Sequence, residues 1–235
     1  MASPPSEIVI LAAGKGSRLG SLPYPKVLLP LHGAMTLLDW QLSLFRQLLP
    51  KARITLVTGY QAELLIRSYP HIHQLESSHY AVQNTAKSLL LAMRSLDGPL
   101  LWINGDVVPS KEALKTLLEA PYGSALLVNS SPVGSEEVKY KTHPDGSLSL
   151  LSKEVAEAEG ESLGLNKVEA HLLPLLIECL EACSDTDFFE RAIELAIGRG
   201  ARFFPVCVAA DACIEVDFPE DLERARQLLN QWLTS

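Results

Sequence analysis

The stretch LAAGKGSRLGSLPYPKVLLPLHG, residues 11–33, begins within a continuous apolar run and contains two early glycines and two well-placed cations. An apolar run that ends at glycine is typical of a parallel strand covered on both faces. In an open α/β sheet, ligands bind just beyond the carboxyl ends of such strands. Gly14 and Gly16 would let backbone N–H groups approach phosphate oxygens, while Arg18 and Lys26 would supply charge. The stretch therefore predicts a phosphate-binding loop.

Three other interpretations of this loop must be compared with phosphate binding. A P-loop requires G-x-x-x-x-G-K-[ST], but Lys15 precedes Gly16 and the spacing does not occur. A dinucleotide-binding loop requires G-x-G-x-x-G, whereas Leu19 stands at the third glycine position and Gly20 comes one residue late. A plain glycine-rich turn stays open, although the neighbouring cations favour phosphate binding.

Strands and helices alternate along the chain. Apolar runs over residues 8–12, 54–58 and 100–104 predict central strands, and helical spacing over 37–49 and 85–96 predicts crossover helices. Further predicted elements are helices over 111–119, 171–183 and 188–196, strands over 125–128, 202–208 and 213–217, and a helix from Pro219. The polar segment 138–168, with a turn at residues 144–146, predicts a hairpin or small antiparallel layer. The pattern predicts an open, mostly parallel α/β sheet with helices on both faces.

Composition limits the class of protein. The chain has 235 residues, 47% of them hydrophobic, and a net charge of -8. We expect one domain over 1–235, with a flexible segment over 1–6 and an acceptor-site insertion over 130–170. The acidic balance and the lack of a basic run argue against a nucleic-acid partner. No long apolar segment indicates a signal peptide or membrane span, so the expected compartment is the cytoplasm.

Cysteines and histidines do not indicate a metal site. Cys179 and Cys183 lie one helical turn apart in an apolar segment, and the four cysteines lack the spacing of a zinc ribbon. Buried, reduced thiols are the expectation. His71 and His73 alternate without a third ligand nearby, which is more typical of solvated surface than of metal ligation.

Two aspartates at strand ends are candidates for a metal site. Asp106 occurs in WINGDVVPS and Asp217 in IEVDFPEDLERA, each after an apolar run. Mg²⁺ is commonly held by one or two carboxylates together with waters and substrate phosphates. A strand-end aspartate can equally be a turn or capping residue, so the prediction depends on both acids accompanying the cationic loop. Glu220 and Asp221 have a simpler interpretation as acids in the first turn of a helix.

The segments LAAGKGSRL and PKVLLPL closely resemble the opening signature of the nucleotidyltransferases, LAAG-x-G-[ST]-R followed by P-K-x-L-L-x-[LV]. The resemblance implies a Rossmann-like (GT-A-like) fold and a Mg²⁺ ion on Asp106 and Asp217. It also implies catalytic roles for Arg18 and Lys26, which would contact the phosphates in the transition state. The nucleotide-binding residues that it implies in the first loop are Leu11, Ala12, Ala13, Gly14, Gly16 and Ser17.

The segment YAVQNTAKSLLLA resembles the Y-x-x-x-N-x-x-x-S-L pattern of cytidylyltransferases that act on phosphocholine or aminoalkylphosphonates. This makes Gln83, Asn84 and Ser88 candidates for base recognition. GESLGLNKV and VTGYQAELL are similar to further segments of the same subgroup. The sugar-1-phosphate branch usually has G-T-A after its base-contacting glutamine, so Asn84 favours CTP. The molybdenum-cofactor branch is disfavoured because it normally lacks the long SLPYPKVLLPL segment.

An anionic acceptor needs a further cation. The candidate acceptor-binding residues are Lys153, Glu161 and Glu190, with Lys139 and Lys167 as alternative cations. A choline head group would require aromatic contacts. Phe188 and Phe189 form the close aromatic cluster beside Glu190, although helix core is the more common role of such residues. Two positions differ from the cytidylyltransferase subgroup. This chain has Ala212 where the subgroup usually has an aromatic residue, and it has the amide Asn129 near a position where the subgroup often has an acid. An amine, a polyol phosphate or a sugar phosphate therefore stays possible as the acceptor.

Together these features predict Mg²⁺-dependent transfer of CMP from CTP to a small phosphorylated or phosphonate acceptor, phosphocholine-like, with release of pyrophosphate. No nucleic acid or membrane partner is expected. The first alternative is a sugar-1-phosphate nucleotidyltransferase that uses UTP, dTTP or GTP. Retention of Arg18, Lys26, Asp106 and Asp217 argues against a regulatory module without turnover. The GKGSR and PK segments argue against a glycosyltransferase that uses a nucleotide sugar.

Overall fold

The computed structural model describes residues 3–20 and 22–234 and shows a mixed α/β fold around a central sheet. Residues 1 and 2 of the segment predicted to be flexible lie outside the described residues. The strands are β1 (Glu7–Ala12), β2 (Pro30–His32), β3 (Met35–Thr36), β4 (Arg53–Thr58), β5 (His73–Glu76), β6 (Leu100–Asn104), β7 (Val107–Pro109), β8 (Ala125–Asn129), β9 (Lys139–Thr142), β10 (Leu148–Ser152), β11 (Gly160–Val168), β12 (Phe204–Cys207) and β13 (Cys213–Glu215). The helices are α1 (Leu37–Leu48), α2 (Ala62–Ser68), α3 (Thr85–Met93), α4 (Lys111–Glu119), α5 (Leu173–Ala182), α6 (Phe189–Gly198) and α7 (Pro219–Thr234).

The three predicted central strands pair in parallel, as expected. β1 lies between β4 and β6, and β5 extends the parallel part beyond β4. β11 runs antiparallel to β6 and also pairs with β8, which carries β12 on its far edge. Because β1, β4 and β6 are parallel, their carboxyl ends meet at one edge of the sheet. The loop of residues 13–20 therefore opens at the same edge as the turn after β6.

Helices cover both faces of the sheet, which explains why the central strands are mostly apolar. On one face, α1, α4 and α7 pack against side chains such as Ile8, Ile10 and Ile103. On the other face, α3, α5 and α6 pack against side chains such as Val9 and Trp102. Alternate residues of a strand thus enter opposite halves of the core.

The antiparallel layer predicted over 138–168 is present. β9 and β10 form a hairpin, and β9 also pairs with the first residues of β11. Gly160 begins β11 where a Cβ atom would lie 1.8 Å from the carbonyl oxygen of Asn129, so this approach of β11 to β8 requires glycine. The layer is thereby held against the carboxyl end of the sheet.

Element ends differ from the predictions in two places that matter for the site. The strand predicted over 213–217 ends at Glu215, which leaves Asp217 between β13 and α7. The helix predicted over 171–183 begins at Leu173, after a short turn over Ala170–Leu172, and has Pro174 in its first turn. The short strands β2, β3, β5 and β7 and the helix α2 were not predicted, because elements of two to seven residues carry little periodicity.

The remaining sequence expectations concern thiols and histidines. All four cysteines are free, and Cys179 and Cys183 are buried as predicted. His71 and His73 are exposed, in agreement with a surface role. Within residues 3–20 and 22–234, no helix combines the length and the apolar character needed to cross a membrane.

Candidate active site

A cleft of about 770 Å³ opens at the carboxyl edge of the central sheet. It is bounded by the loop after β1, the turn between β6 and β7, the strand β11, and the connection from β13 to α7. The sequence-predicted residues that line it are Leu11, Ala12, Gly14, Gly16, Ser17, Arg18, Lys26, Asn84, Asp106, Lys153, Glu161, Glu190 and Asp217. Residues separated by most of the chain length therefore meet in one cleft, as the sheet geometry predicted.

Gly16 determines how the first loop folds. Its φ is 66°, a left-handed conformation that glycine adopts most easily, and a short turn over Ser17–Leu19 follows it. A Cβ atom at this position would lie 3.1 Å from Cβ of Lys26. The loop thus packs directly against the stem of Lys26 and orients Arg18 toward the cleft.

Lys26 lies between the two predicted metal ligands. Its Nζ atom donates hydrogen bonds to Asp106 Oδ2 at 2.8 Å and to Asp217 Oδ1 at 2.7 Å, and the residue is 8% exposed. Burial acts to lower the pKa of Lys26, but the charge of Asp106 and the hydrogen bonds to both carboxylates outweigh it, so the pKa is raised. The ammonium group is therefore charged and binds both acids.

Asp217 is fixed from both sides. Arg18 Nη1 donates to Asp217 Oδ2 at 2.7 Å, and Asp221 Oδ2 accepts from the backbone N–H of Asp217 at 3.0 Å. Burial acts to raise the pKa of Asp217, but the hydrogen bond and charge of Lys26 and the charge of Arg18 lower it. Asp221 also accepts from the backbone N–H of Phe218 at 2.7 Å, which is the role of an acid in the first turn of a helix.

Glu215 completes an acidic cluster that sequence reasoning missed. Carboxylate oxygens of Asp106, Glu215 and Asp217 lie within 4.8 Å of one another. Asp106 Oδ1 is buried without a hydrogen-bond partner among the described residues. An unpartnered oxygen inside an oxygen-only donor set fits Mg²⁺. The E-V-D sequence could have indicated Glu215, because residues two apart on an extended chain face the same side and Glu215 is two residues before Asp217.

The electrostatics of Glu215 agree with a cation-binding cluster. Its side chain is exposed within the cleft. Desolvation by the surrounding cleft, followed by the charges of Asp106 and Asp217, raises the pKa of Glu215 above its ordinary value. Three carboxyl groups therefore meet beside Lys26, and Arg18 is a second cation in contact with Asp217.

Three predicted nucleotide contacts lie outside the lining of the cleft. Gln83 donates a side-chain hydrogen bond to Asp185 at 3.1 Å in a separate surface depression. Ser88 is buried in α3, and Ala13 is buried behind the loop. Asn84 does line the cleft, where its side chain caps α3 by accepting from the backbone N–H of Thr85 at 2.8 Å.

We use the name β11 end for the part of the cleft lined by Asn129, Glu136, Lys153, Glu161, Ser162, Phe188 and Glu190. Asn129 Nδ2 donates to Glu161 Oε1 at 2.7 Å. Burial raises the pKa of Glu161, an effect that this hydrogen bond reduces. The Nζ atom of Lys153 lies 3.5 Å from Glu136 Oε2. The predicted acceptor residues therefore occur together at one end of the cleft.

Of the aromatic and cationic residues predicted for acceptor binding, some line the cleft and others do not. Phe188 is 44% exposed in the cleft, whereas Phe189 is fully buried and packs edge-on against Trp102 with ring centroids 5.7 Å apart.

Lys139 Nζ donates to the carbonyl oxygen of Lys153 at 2.8 Å. Lys167 lies outside the cleft lining and donates to the carbonyl oxygen of Ala120 at 3.0 Å, just past the end of α4. Of the three lysines, Lys153 is the one that lines the cleft.

Glu190 is a buried acid at the β11 end, 7% exposed, and its burial raises its pKa to about 7. A raised carboxyl pKa means that the unfolded chain ionises first, so native stability falls as pH rises from about 4.5 to 7. We expect Glu190→Gln to gain stability relative to the wild type between pH 4 and 8, on the order of 3 kcal/mol. Urea unfolding at several pH values measures this difference.

Glu154→Gln supplies the control for this prediction, since Glu154 is exposed and outside the cleft lining. Its stability should follow that of the wild type across the same pH range. Stability curves of wild type and Glu190→Gln that run parallel with pH would show that Glu190 ionises normally.

The fold and the cleft place this protein in the nucleotidyltransferase class of α/β proteins. The chain belongs to the MobA-like NTP transferase domain family, whose model matches residues 8–191. The resemblance predicted from the first loop is thereby confirmed at the level of the family.

Two curated relatives match part of the chain. The chain is 40% identical over 104 residues to the bifunctional protein GlmU of Synechococcus sp. (strain CC9902), an alignment that covers 43% of the chain and 22% of that protein. A second GlmU, from Synechococcus sp. (strain JA-3-3Ab), is 34% identical over 116 residues, with coverage of 48% and 18%. The chain thus matches about a fifth of the length of these curated relatives.

Solved structures share the fold at low identity. The inositol-1-phosphate CTP transferase of T. maritima superposes with a TM-score of 0.80 and 18% identity, over 99% of this chain and 98% of that one. The CTP:phosphocholine cytidylyltransferase LicC of Streptococcus pneumoniae gives a TM-score of 0.72 and 16% identity, over 95% and 98%.

Proposed function

We propose that the chain, as a single domain over 1–235, transfers CMP from CTP to a small phosphorylated or phosphonate acceptor and releases pyrophosphate. The observation that carries the proposal is the contact of Lys26 with both Asp106 and Asp217 beneath the loop at Gly16. Cations and carboxylates in this arrangement suit a substrate whose charge is concentrated on phosphates. We retain the cytoplasm as the expected compartment.

The reaction requires positioning and charge neutralisation rather than a protein nucleophile. An oxygen of the acceptor's phosphate or phosphonate attacks the α-phosphorus, the bond to the β-phosphate bridging oxygen breaks, and pyrophosphate leaves with that electron pair. The backbone at Gly14 and Gly16 would hold the triphosphate, and Arg18 and Lys26 would offset the charge on the leaving group.

The carboxylates of Asp106, Glu215 and Asp217 would hold Mg²⁺. When bound, the ion would neutralise charge on phosphoryl oxygens of the two substrates. Lys26 and Arg18 both pair with Asp217, which fixes the position of that carboxylate.

The choice of CTP is supported by the sequence around Asn84 and by the names of the two structural relatives above, both of which describe CTP as substrate. A sugar-1-phosphate nucleotidyltransferase that uses UTP, dTTP or GTP is the alternative, since GlmU and a nucleoside-diphosphate-sugar pyrophosphorylase are also relatives. The phosphocholine-like acceptor of the sequence prediction is taken up in the next subsection.

A matrix of substrates tests the proposal. We expect pyrophosphate release with CTP, Mg²⁺ and at least one of phosphocholine, aminoethylphosphonate, glycerol phosphate and inositol 1-phosphate. Rates with UTP, dTTP and GTP should be at least about tenfold lower. Turnover with a sugar 1-phosphate and UTP alone would favour the alternative, and release with no pair would contradict nucleotidyl transfer altogether.

A further inference from the structure

Two aromatic side chains line the cleft among the described residues, and a cation of the chain lies over each. The Nζ atom of Lys153 lies 5.1 Å from the ring centroid of Phe188 at the β11 end. The Cζ atom of Arg18 lies 5.8 Å from the ring centroid of Phe218, next to Asp217. Both distances are within the range of a cation–π interaction. A cation of the chain therefore already lies near one face of each ring that an organic cation would use, although both rings stay partly exposed.

Three other segments lie near Lys153, and one of them contacts its side-chain nitrogen. Glu136 Oε2, from the loop between β8 and β9, lies 3.5 Å from Nζ of Lys153. Lys139 on β9 donates to the backbone carbonyl oxygen of Lys153 at 2.8 Å. Glu190, from α6, is near enough for the charge of Lys153 to act on it. A quaternary ammonium that depends on the ring of Phe188 would meet the positive charge and the bulk of Lys153, whereas a head group that hydrogen-bonds to Glu161 does not depend on that ring.

The rest of this region presents oxygen atoms. Glu161 lines the cleft, and its carboxyl group accepts a hydrogen bond from the uncharged side chain of Asn129. Ser162 Oγ and Asn104 Oδ1 also belong to lining residues, and both atoms are buried without a hydrogen-bond partner among the described residues. Buried polar atoms left unpaired are costly, so a ligand that satisfies them gains affinity. The amide oxygen of Asn104 and the carboxylate of Glu161 accept hydrogen bonds, whereas the hydroxyl of Ser162 can donate or accept, so a ligand that donates hydrogen bonds suits all three.

We propose that the head group of the acceptor is a hydrogen-bond donor, a hydroxyl or a primary ammonium, and that the cleft rejects a trimethylammonium group. This proposal rests on the nucleotidyl transfer proposed above and narrows its acceptor. A trimethylammonium group has no N–H or O–H to offer Glu161, and it depends on aromatic rings that each already have a cation of the chain near one face. The proposal therefore favours a donor-bearing acceptor over the phosphocholine-like one suggested by sequence resemblance.

A matched set of acceptors tests this proposal. Phosphoethanolamine and phosphocholine differ by three N-methyl groups, and glycerol phosphate offers hydroxyls instead. With saturating CTP and Mg²⁺, we expect kcat/KM for phosphocholine to be at least about tenfold below that of the better donor-bearing acceptor. The ranking of phosphoethanolamine against glycerol phosphate identifies which donor is preferred.

The outcomes separate this proposal from the one on which it rests. Phosphocholine as the best acceptor would overturn the head-group proposal while leaving nucleotidyl transfer intact. No pyrophosphate release with any acceptor and any of the four triphosphates would overturn both.

A variant of Lys153 gives an independent readout. Lys153→Ala uncovers the ring of Phe188, so the ratio of kcat/KM for phosphocholine to that for phosphoethanolamine should rise about tenfold. The ratio is informative because loss of a phosphate contact would lower both rates equally. Lys141→Ala is the control: Lys141 is outside the cleft lining and pairs with Glu157 at 3.2 Å. An unchanged ratio in Lys153→Ala would overturn the proposal.

Discussion

Replacing either aspartate of the acidic cluster, as Asp106→Asn or Asp217→Asn, is expected to lower kcat at least about 10³-fold. The amide keeps the size of the side chain but removes the charge that a divalent ion requires. Loss of a metal contact to the reacting phosphates costs several kcal/mol of transition-state stabilisation. Pyrophosphate release at saturating CTP and acceptor measures the effect.

The fold should tolerate both substitutions. Asp106 and Asp217 are partly exposed, with 23% and 28% of their side-chain surfaces accessible, and an amide oxygen can still accept from Lys26. We therefore expect unfolding midpoints close to that of the wild type. Asp97→Asn, which changes an exposed acid outside the cleft lining, should keep full activity. Near-normal turnover in either cluster variant would remove that residue from the proposed metal site.

Lys26→Met is expected to lower kcat/KM by about 10² to 10³-fold, the cost typical of losing one preorganised donor to developing charge. The same change leaves Asp106, Glu215 and Asp217 facing one another without the ammonium group. Removal of one partner from a partly buried ion pair should lower the free energy of unfolding by about 1 to 3 kcal/mol. Activity assays and urea unfolding test the two effects separately.

Mg²⁺ should distinguish electrostatic loss from misfolding in Lys26→Met. In the wild type, Lys26 already occupies oxygens of Asp106 and Asp217, so an added ion competes with the ammonium group. The variant should therefore gain more stability from Mg²⁺ than the wild type does. Lys115→Met, an exposed change on α4, should respond like the wild type. Equal Mg²⁺ effects in all three proteins would contradict a cation site at this cluster.

The architecture was largely predictable from hydrophobic patterning. The apolar runs that become β1, β4 and β6 are covered on both faces, and this burial is visible as uninterrupted hydrophobicity. The position of the cleft followed from the same pattern, because the carboxyl ends of parallel strands share one edge. The grouping of Arg18, Lys26, Asp106 and Asp217 came from the family resemblance as well, since Asp217 follows β13, which pairs with β7 outside the central sheet.

Features that depend on tertiary contacts were less predictable. Gln83 precedes the cap of α3 and turns toward Asp185, a contact with a distant loop that no local periodicity reveals. Phe188 and Phe189 are adjacent, yet one is exposed in the cleft and the other is buried, because α6 begins between them. Glu215 could have been found from its spacing to Asp217. Its role depends on Asp106, which reaches the same point from another strand end.

Binding of a divalent ion at the cluster is the central claim, and anomalous diffraction from crystals grown with CTP and Mn²⁺ would test it most directly. Mn²⁺ prefers the same oxygen donors as Mg²⁺ and gives an anomalous signal. We expect a peak bounded by Asp106, Glu215 and Asp217, with the triphosphate against the loop at Gly16. A nucleotide bound elsewhere, or a filled loop with both aspartates still paired to Lys26 and no metal peak beside them, would contradict the account.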